Sequence, residues 1–206
     1  MIAIVDYGMG NLASIKNMLK RIGVDAEITS SCDVLEAASR IILPGVGAFD
    51  NAMLNMGSLG IVETLTKKAL VEKVPILGIC LGMQILLESS EEGGRAGLGW
   101  IEGRVRKFVF EKGPTQLKVP HMGWNLVNPN SGDSFLFKGL ISPRFYFVHG
   151  YYVECKNAGE VLATTNYGSE FHSAVHRDNI FGTQFHPEKS HKFGMQLLKN
   201  FVEIPK

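Results

Sequence analysis

Short apolar runs alternate with amphipathic segments through the first half of the chain. Continuous apolar runs are typical of strands buried on both faces of a parallel sheet, and apolar residues at three- and four-residue spacing predict helices. The predicted strands cover residues 2–5, 25–29, 40–43 and 75–79, with Pro44 ending the third. The predicted helices run from a cap at Asn11 to about Ile22, from about 48 to 71 with a break near 57–60, and from 81 to 89.

The second half of the chain changes character. Strand-like segments at residues 105–110, 144–148, 161–164, 170–175 and 180–185 are joined by turns rich in Gly, Pro and Asn, and a last helix is predicted over 191–203. Alternating strands and helices in the first half predict a parallel sheet with right-handed crossovers. We therefore expect one α/β domain over residues 1–206, a three-layer sandwich with a central, mainly parallel sheet and a partly antiparallel extension.

The composition is that of an ordinary globular protein. The 206 residues carry a net charge of +1, so charge gives no argument for a nucleic acid or a membrane surface as partner. The three cysteines form no C-x-x-C pair, which favours a reduced, cytoplasmic protein. The chain reaches Asp6 without a basic region, and its longest apolar stretch, residues 74–87, is shorter than the roughly 20 residues of a bilayer span.

Cys80 lies between two glycines where a predicted strand meets a predicted helix. The motif Gly78-Ile-Cys-Leu-Gly82 has the form of a G-x-nucleophile-x-G elbow with cysteine in place of serine. In such an elbow the helix amino terminus favours the thiolate, and the N–H of the next residue, Leu81, faces the position of an oxyanion. A buried structural cysteine is the alternative, and the motif alone does not separate the two.

A histidine and a glutamate two residues apart follow the last predicted strand. A thiolate nucleophile needs a base that moves its proton, and that base needs an acid that orients it. His186 and Glu188 project to the same side of an extended segment, which Pro187 between them favours. A surface turn is the alternative. The order cysteine, histidine, glutamate disfavours an α/β-hydrolase, in which the acid precedes the histidine.

A glycine-rich turn closes the third predicted strand. In Pro44-Gly-Val-Gly47 the backbone N–H groups of Gly45, Val46 and Gly47 can point at a developing oxyanion, although the motif alone is better explained as a plain turn. Because Val46 lies between two glycines, its peptide can rotate. This predicts a site that is poorly active until a partner docks.

Two patterns suggest other chemistry and are disfavoured. Gly8-Met-Gly10-Asn-Leu-Ala13 fits a dinucleotide fingerprint, but Asp6 would face the pyrophosphate, and Asp33 matches the expected ribose-binding acid only loosely. His172 and His176 have the spacing of a helical zinc pair, but the residues around them alternate like a strand. We therefore expect no cofactor and no metal.

Two motifs together resemble the triad type of class I glutamine amidotransferases. They are Gly78-Ile-Cys-Leu-Gly-Met-Gln84 and Gln184-Phe-His-Pro-Glu-Lys-Ser190. Four others narrow the resemblance to the family of glutaminase subunits of imidazole glycerol phosphate synthase: Asp6-Tyr-Gly-Met-Gly-Asn11, Pro44-Gly-Val-Gly-Ala-Phe49, Pro120-His-Met-Gly-Trp-Asn125 and Tyr146-Phe-Val-His149. The resemblance covers essentially the whole chain, and the triad motifs are highly specific for the class.

The resemblance implies three groups of site residues. The implied catalytic residues are Cys80, His186 and Glu188, the implied oxyanion hole is the backbone of Gly45, Val46, Gly47 and Leu81, and the implied glutamine-binding groups are Gln84, Glu92 and the backbone of His149, Gly150 and Tyr151. Gln84 also lies one helical turn from Cys80. For Glu92, a solvated loop acid is a comparably good explanation.

The resemblance also implies a partner. In the family, ammonia passes to a (β/α)8 cyclase subunit, which forms imidazole glycerol phosphate and an aminoimidazole carboxamide ribotide in histidine biosynthesis. Because a barrel takes about 250 residues, we expect it on another chain, in a heterodimer. Candidate interface positions are Asn11, Trp124, Tyr146 and Lys189, although on sequence alone the two aromatic residues are better explained as core or rim residues.

Three other functions stay open on the sequence. One is a paralogous glutaminase that feeds a related barrel synthase in another pathway, such as amino-sugar modification. The second is a stand-alone cysteine hydrolase with the same triad, and the third is a binding module without catalysis. Gln84 together with Glu92 favours glutamine as substrate, because an unrelated hydrolase would not require that pair.

Overall fold

Strands and helices alternate in the first half of the chain, and short strands dominate the second. The computed structural model describes residues 1–111, 117–130 and 134–205. The strands are β1 Ile2–Val5, β2 Ala26–Thr29, β3 Arg40–Gly45, β4 Ile76–Cys80, β5 Ser89–Ser90, β6 Gly103–Lys107, β7 His121–Leu126, β8 Asn128–Pro129, β9 Arg144–His149, β10 Tyr151–Cys155, β11 Val161–Tyr167, β12 Ser169–Arg177 and β13 Ile180–Thr183. The helices are α1 Leu12–Arg21, α2 Cys32–Ala37, α3 Phe49–Ser58, α4 Val62–Thr66, α5 Leu81–Gln84 and α6 His191–Glu203, with a π turn at Lys67–Val71 and 3-10 turns at Phe135–Phe137, Ala158–Glu160 and Pro187–Lys189.

One large sheet runs through the described part of the chain. Strands β2, β1, β3, β4 and β13 lie side by side in that order and are all parallel. Strands β12, β10 and β6 extend the sheet in antiparallel pairs, with β5 at the edge; β11 pairs with β12, and β8 pairs with β11. Strands β7 and β9 form a separate antiparallel pair. The predicted mainly parallel sheet with an antiparallel extension is confirmed.

Both faces of the parallel half are buried, which explains why its strands lack polar alternation. Along β1, Ile2 and Ile4 pack with residues of α1 and α6, whereas Ala3 and Val5 pack with residues of α2, α3 and α4. The helices therefore form a layer on each side of the sheet, as expected. Among the described residues, no helix is both long and apolar enough to cross a membrane.

Several element ends differ from the prediction. Strand β3 continues through Pro44 to Gly45, because β1 pairs with it only as far as Ile42 and a proline is tolerated where a strand has a neighbour on one side only. The side chain of Asn11 makes no capping hydrogen bond to α1. Helix α5 ends at Gln84 rather than near residue 89, and the sequence pattern did not predict α2, β7 or β10.

Candidate active site

Three adjacent parallel strands end at one edge of the sheet, and each carries a predicted site motif there. Strand β4 is central, with β3 on one side and β13 on the other. Gly45 at the end of β3 is in register with Cys80 at the end of β4, and β13 leads directly into the segment that holds His186. Ligands of open α/β sheets bind outside the carboxyl ends of the strands, so this edge is the expected place for a site.

Cys80 occupies a strained turn between β4 and α5. Its backbone has φ 55° and ψ −108°, a conformation that L-residues rarely adopt and that is typical of functional positions. A Cβ atom at Gly82 would collide with the carbonyl of Leu43 on β3, and one at Gly78 would collide with the backbone of Gly82. Both glycines are therefore required by close backbone approach. Because α5 is a single turn, its dipole is small and contributes little to stabilising a thiolate at Cys80.

His186 and Glu188 form a buried pair. The Nδ1 atom of His186 lies 2.8 Å from Oε1 of Glu188, and the two side chains are only 1% and 2% exposed. Burial lowers the pKa of His186, but the interactions with Cys80 and Glu188 outweigh burial and raise the pKa above its ordinary value. The Nε2 atom of His186 makes no hydrogen bond of ordinary geometry with the described residues, although Cys80 lies close enough to raise the pKa of the imidazole. Catalytic hydrogen bonds are often long or poorly aligned without substrate and become shorter and better aligned when it binds.

Strand β9 holds the His186 turn in place. The N–H of His186 donates to the carbonyl of Tyr146 at 2.9 Å, and the hydroxyl of Ser190 donates to the carbonyl of His186 at 2.6 Å. The same hydroxyl accepts from the N–H of Tyr146 at 3.0 Å. Pro187 begins the 3-10 turn that brings Glu188 back to the imidazole. The separate β7–β9 pair is thus fastened to the predicted base.

Two polar residues in the site had no predicted role. Gln184 is fully buried; its Nε2 donates to Sγ of Cys80 at 3.6 Å, and its Oε1 accepts from the side chain of Gln84 at 3.2 Å. The hydroxyl of Tyr7 donates to the carbonyl of Pro44, and burial together with the charge of Cys80 raises the pKa of Tyr7. The sequence signal for Gln184 is a single amide in a run before the histidine whose only other polar side chain is Thr183.

A cavity of about 300 Å³ opens beside Cys80. Most of the predicted oxyanion and glutamine-binding residues line it, with Pro120 and Val148 completing the wall. The predicted residues among the lining are Val46, Gly47, Cys80, Leu81, Gln84, Glu92, His149, Gly150 and Tyr151. Val46 is 42% exposed at the rim, and Gly47 has φ 118°, which favours glycine.

Glu92 is fixed by backbone contacts rather than solvated. Its Oε2 accepts from the N–H of Phe49 at 2.9 Å, the first residue of α3. In return, Asp50 of α3 accepts from the N–H groups of Gly94 and Arg95 at 3.1 and 3.0 Å. Glu92 is thus a half-buried, hydrogen-bonded loop residue, and its carboxylate lies at the cavity wall with one oxygen accepting from the start of α3.

The predicted interface residues gather beside the His186 turn. Trp124 is 47% exposed, and its ring stacks on His191 with centroids 5.5 Å apart and meets Tyr146 edge-on at 6.3 Å. The ammonium of Lys189 lies 5.7 Å from the ring centroid of Tyr146. Asn11 is exposed at the start of α1, which packs against the turn Pro187–Lys189. A core position for Trp124 is therefore excluded.

The patterns that suggested other chemistry have structural roles. Asp6 accepts from the N–H of Gly8 at 3.0 Å, so a carboxylate occupies the amide that a pyrophosphate would use. His172 and His176 both lie on strand β12, as predicted. Nδ1 of His172 accepts from the N–H of Cys155 at 3.1 Å. Among the described residues, no three His, Cys, Asp or Glu side chains are grouped to hold a metal ion.

The fold and the site together define a class of protein. The family description "Glutamine amidotransferase class-I" matches residues 3–204, and the chain belongs to this class. A solved glutamine amidotransferase superimposes with a TM-score of 0.75 at 21% identity, covering 98% of each chain. The structure of PurLQS from Thermotoga maritima gives a TM-score of 0.72 at 19% identity, covering 98% of this chain and 96% of that one. At these identities the two structures show the fold alone.

Curated relatives define the family within this class. Imidazole glycerol phosphate synthase subunit HisH 2 of Methanococcus maripaludis is 52% identical over 203 residues, covering 98% of this chain and 99% of that protein. HisH 2 of Pseudomonas aeruginosa is 50% identical, covering 99% and 100%, and HisH of Bdellovibrio bacteriovorus is 52% identical, also covering 99% and 100%. The chain belongs to the HisH family of glutaminase subunits, and the prediction of a glutaminase is confirmed.

Proposed function

We propose that this chain hydrolyses glutamine with Cys80 as nucleophile, His186 as proton carrier and Glu188 as the acid that orients it, and that it passes ammonia to a separate (β/α)8 cyclase subunit. One observation carries the proposal. A strained cysteine elbow, a buried His–Glu pair and a cavity of about 300 Å³ share one edge of the sheet. The raised pKa of His186 keeps the imidazole protonated at neutral pH, beside the sulfur that it would serve.

The reaction follows from this geometry in two half-reactions. The sulfur of Cys80 attacks the side-chain carbonyl carbon of glutamine, and the carbonyl electron pair moves to oxygen, where the N–H of Leu81 and a rotated peptide at Val46 and Gly47 stabilise it. The C–N bond then breaks as His186 donates its proton to the leaving amine, which gives ammonia and a glutamyl thioester. Water attacks the thioester, His186 takes one water proton, and glutamate leaves as the thiolate re-forms.

The cavity walls supply the recognition of glutamine. Glu92 faces the α-ammonium with the carboxylate oxygen that does not accept from Phe49, and backbone N–H groups of Gly150 and Tyr151 face the α-carboxylate. Gln84 donates through its Nε2 to Gln184 and to the carbonyl of Tyr151, which leaves its carbonyl oxygen for the substrate. Binding by backbone groups does not depend on a side chain at Gly150.

The partner docks on an apolar face next to the catalytic histidine. Successive outward positions of β7 are Met122, Trp124 and Leu126, which are exposed at 61%, 47% and 40%. An exposed apolar row of this kind marks an interaction surface. Tyr146 and Lys189 continue the face, and Tyr146 is hydrogen-bonded to the backbone of His186. A barrel seated here would lie directly over the point where ammonia is released.

The proposal is tested by measuring glutamine hydrolysis with and without a purified (β/α)8 cyclase. We expect kcat to rise at least about tenfold when the cyclase is added, because docking selects the rotated Val46 peptide. With the phosphorylated ribulosyl substrate present, we also expect imidazole glycerol phosphate and the aminoimidazole carboxamide ribotide as products. Turnover of other amides or esters with none of glutamine would contradict the proposal. Equal rates with and without the cyclase would exclude activation by docking.

The exposed apolar face of Met122, Trp124 and Leu126 leads to a separate prediction about cyclase binding. Trp124→Ala should weaken cyclase binding about 30-fold or more in calorimetry, because a large aromatic side chain at the centre of an interface commonly acts as a hot spot. Val71→Ala is the matched control, since Val71 is 75% exposed and lies before β4, at the opposite end of the sheet. Equal affinities for the two variants would show that the cyclase binds elsewhere.

The sequence leaves a second function open. A paralogous glutaminase could feed ammonia to a related barrel synthase in another pathway, such as amino-sugar modification. Assays against both kinds of purified barrel decide between the two functions, because only the cognate barrel should stimulate glutamine hydrolysis.

A further inference from the structure

A chain of hydrogen bonds runs through the interior behind one wall of the glutamine cavity. It begins at the side-chain amide of Asn125, whose Nδ2 lies 3.3 Å from Nε2 of His121. The Nδ1 atom of His121 lies 2.9 Å from Nε2 of His149. The Nδ1 atom of His149 lies 2.7 Å from the carbonyl oxygen of Tyr151, a residue of the cavity wall.

The chemistry of these groups determines which atom donates in each hydrogen bond of the chain. The carbonyl of Tyr151 only accepts, so Nδ1 of His149 donates. Burial lowers the pKa of His149 to about 3 and that of His121 to about 4, so each ring is neutral and carries one N–H. Nε2 of His149 must then accept, Nδ1 of His121 must donate, and Nε2 of His121 must accept from Asn125. The amide orientation of Asn125 is fixed by its second donation, to the carbonyl of Asn166 at 2.9 Å.

The chain of hydrogen bonds ends at the carbonyl of Tyr151, which takes part in a second set of hydrogen bonds within the candidate site. The carbonyl of Tyr151 also accepts from Nε2 of Gln84 at 3.3 Å, and Gln84 is linked through Gln184 to the sulfur of Cys80. Gly150 lies between His149 and Tyr151, and its own carbonyl accepts from the N–H of Phe108 at 3.1 Å. The backbone that faces the α-carboxylate of glutamine is therefore held from both sides.

We propose that His121 and His149 are positioning residues that fix the backbone of Gly150 and Tyr151, and with it the amide of Gln84, for binding glutamine. The inference rests on the proposed function, since it concerns the same cavity. Both rings are buried, so each unpaired nitrogen would carry the full cost of a lost hydrogen bond. The direction of the chain leaves every nitrogen of the two rings with a partner.

A purely structural role makes a different prediction for His121. Its ring stacks on Phe147 and on Tyr167, with centroids 4.7 and 4.0 Å apart. If filling this space were its whole role, an aromatic hydrocarbon would replace the imidazole well and a small amide would not. If donation to His149 is its role, the order of the two replacements reverses.

The test compares His121→Phe with His121→Asn in glutamine hydrolysis by the complex with the cyclase. Phenylalanine keeps the stacking and removes the donor, so we expect KM for glutamine to rise about tenfold with kcat changed much less. Asparagine places an N–H near the position of Nδ1 and loses the stacking, so KM should stay within about threefold of the wild-type value. Thermal unfolding should show the opposite order, with His121→Phe the more stable variant.

Several outcomes would overturn the inference. The first is an unchanged KM for His121→Phe, and the second is a larger KM for His121→Asn than for His121→Phe. The third is a rise in KM and a fall in kcat that are equally large in both variants. A wild-type complex without glutaminase activity would count against the proposed function instead. If His121→Phe does not fold, ¹⁵N spectra of the wild-type imidazoles still decide the point, because Nδ1 of both His121 and His149 must carry the proton.

Discussion

Replacing Cys80 with alanine should lower kcat for glutamine hydrolysis by about 10⁴-fold or more, because removal of the nucleophile of a triad leaves only binding and oxyanion stabilisation. Glutamine binding should change little, since the side chain of Cys80 is one element of a wall that Gln84, Glu92 and Tyr151 also build. The measurement is a steady-state assay of the complex with the cyclase, together with calorimetric titration of glutamine into the variant.

The other two cysteines supply matched controls for this loss. Burial and the charge of Glu160 raise the pKa of Cys155 to about 12, so its thiol stays protonated and unreactive. Cys32 is half-buried on α2, where its sulfur lies 3.9 Å from the carbonyl of Gly60. Cys32→Ser and Cys155→Ala should therefore retain kcat within about threefold. A Cys80→Ala variant that still turned over glutamine at a comparable rate would remove Cys80 from the mechanism.

Most of the parallel half of the fold was predictable because its elements are local, and the six-residue helix α2 is the exception. Its strands are short apolar runs and its longer helices carry one apolar face, so the pattern within a few residues determines these elements. The failure at α5 has a non-local cause. Residues after Gln84 leave the helix because the N–H groups of Leu98 and Trp100 donate to the carbonyls of Ile85 and Leu86 at 2.8 and 2.9 Å. The pattern of residues 81–89 contains no sign of that partner segment.

Strand β7 was not predicted, and the burial of its alternating residues is the reverse of the usual order. Met122 and Trp124 point outward, whereas the polar residues His121 and Asn125 point into the protein. Alternation with a period of two is typical of a strand whichever face is buried, and it does not indicate which set of side chains points inward. The sequence therefore could not predict that the apolar side chains of β7 face outward. The inversion has two uses in the proposed function, an apolar face for a partner and a buried polar chain behind the cavity.

The candidate site also contains residues that short motifs predicted and residues that they did not. Cys80 in its glycine elbow and His186 with Glu188 are motifs of a few residues, and the structure brings them together at adjacent strand ends. Gln184 and the His121–His149 pair depend on contacts between distant segments. A buried histidine or glutamine side chain has no distinctive pattern of its own, so sequence analysis gave no role to Gln184 or His121 and, through the resemblance, only a backbone role to His149.

Replacing Glu188 with glutamine should lower kcat about 10³-fold and move the alkaline limit of activity to lower pH. An amide retains an acceptor for Nδ1 of His186 but removes the charge, and loss of the orienting carboxylate in a triad costs rates of this order. Burial alone lowers the pKa of His186, and Cys80 and Glu188 together raise it above 6.5. Glu188 is one of the two groups that oppose the effect of burial, so removing its charge must lower the pKa of His186.

The sign of the pH effect follows from which form of His186 is needed. The imidazolium donates a proton to the leaving amine, so activity is lost as pH rises through the pKa of His186. A lower pKa in Glu188→Gln moves this alkaline limb of the profile of kcat/KM toward neutral pH. Glu188→Asp keeps the charge and shortens the side chain, so it should lower kcat while leaving the limb nearer its wild-type position. Identical alkaline limbs in wild type and Glu188→Gln would mean that Glu188 does not act through His186, because two groups 2.8 Å apart in a buried site cannot otherwise titrate independently.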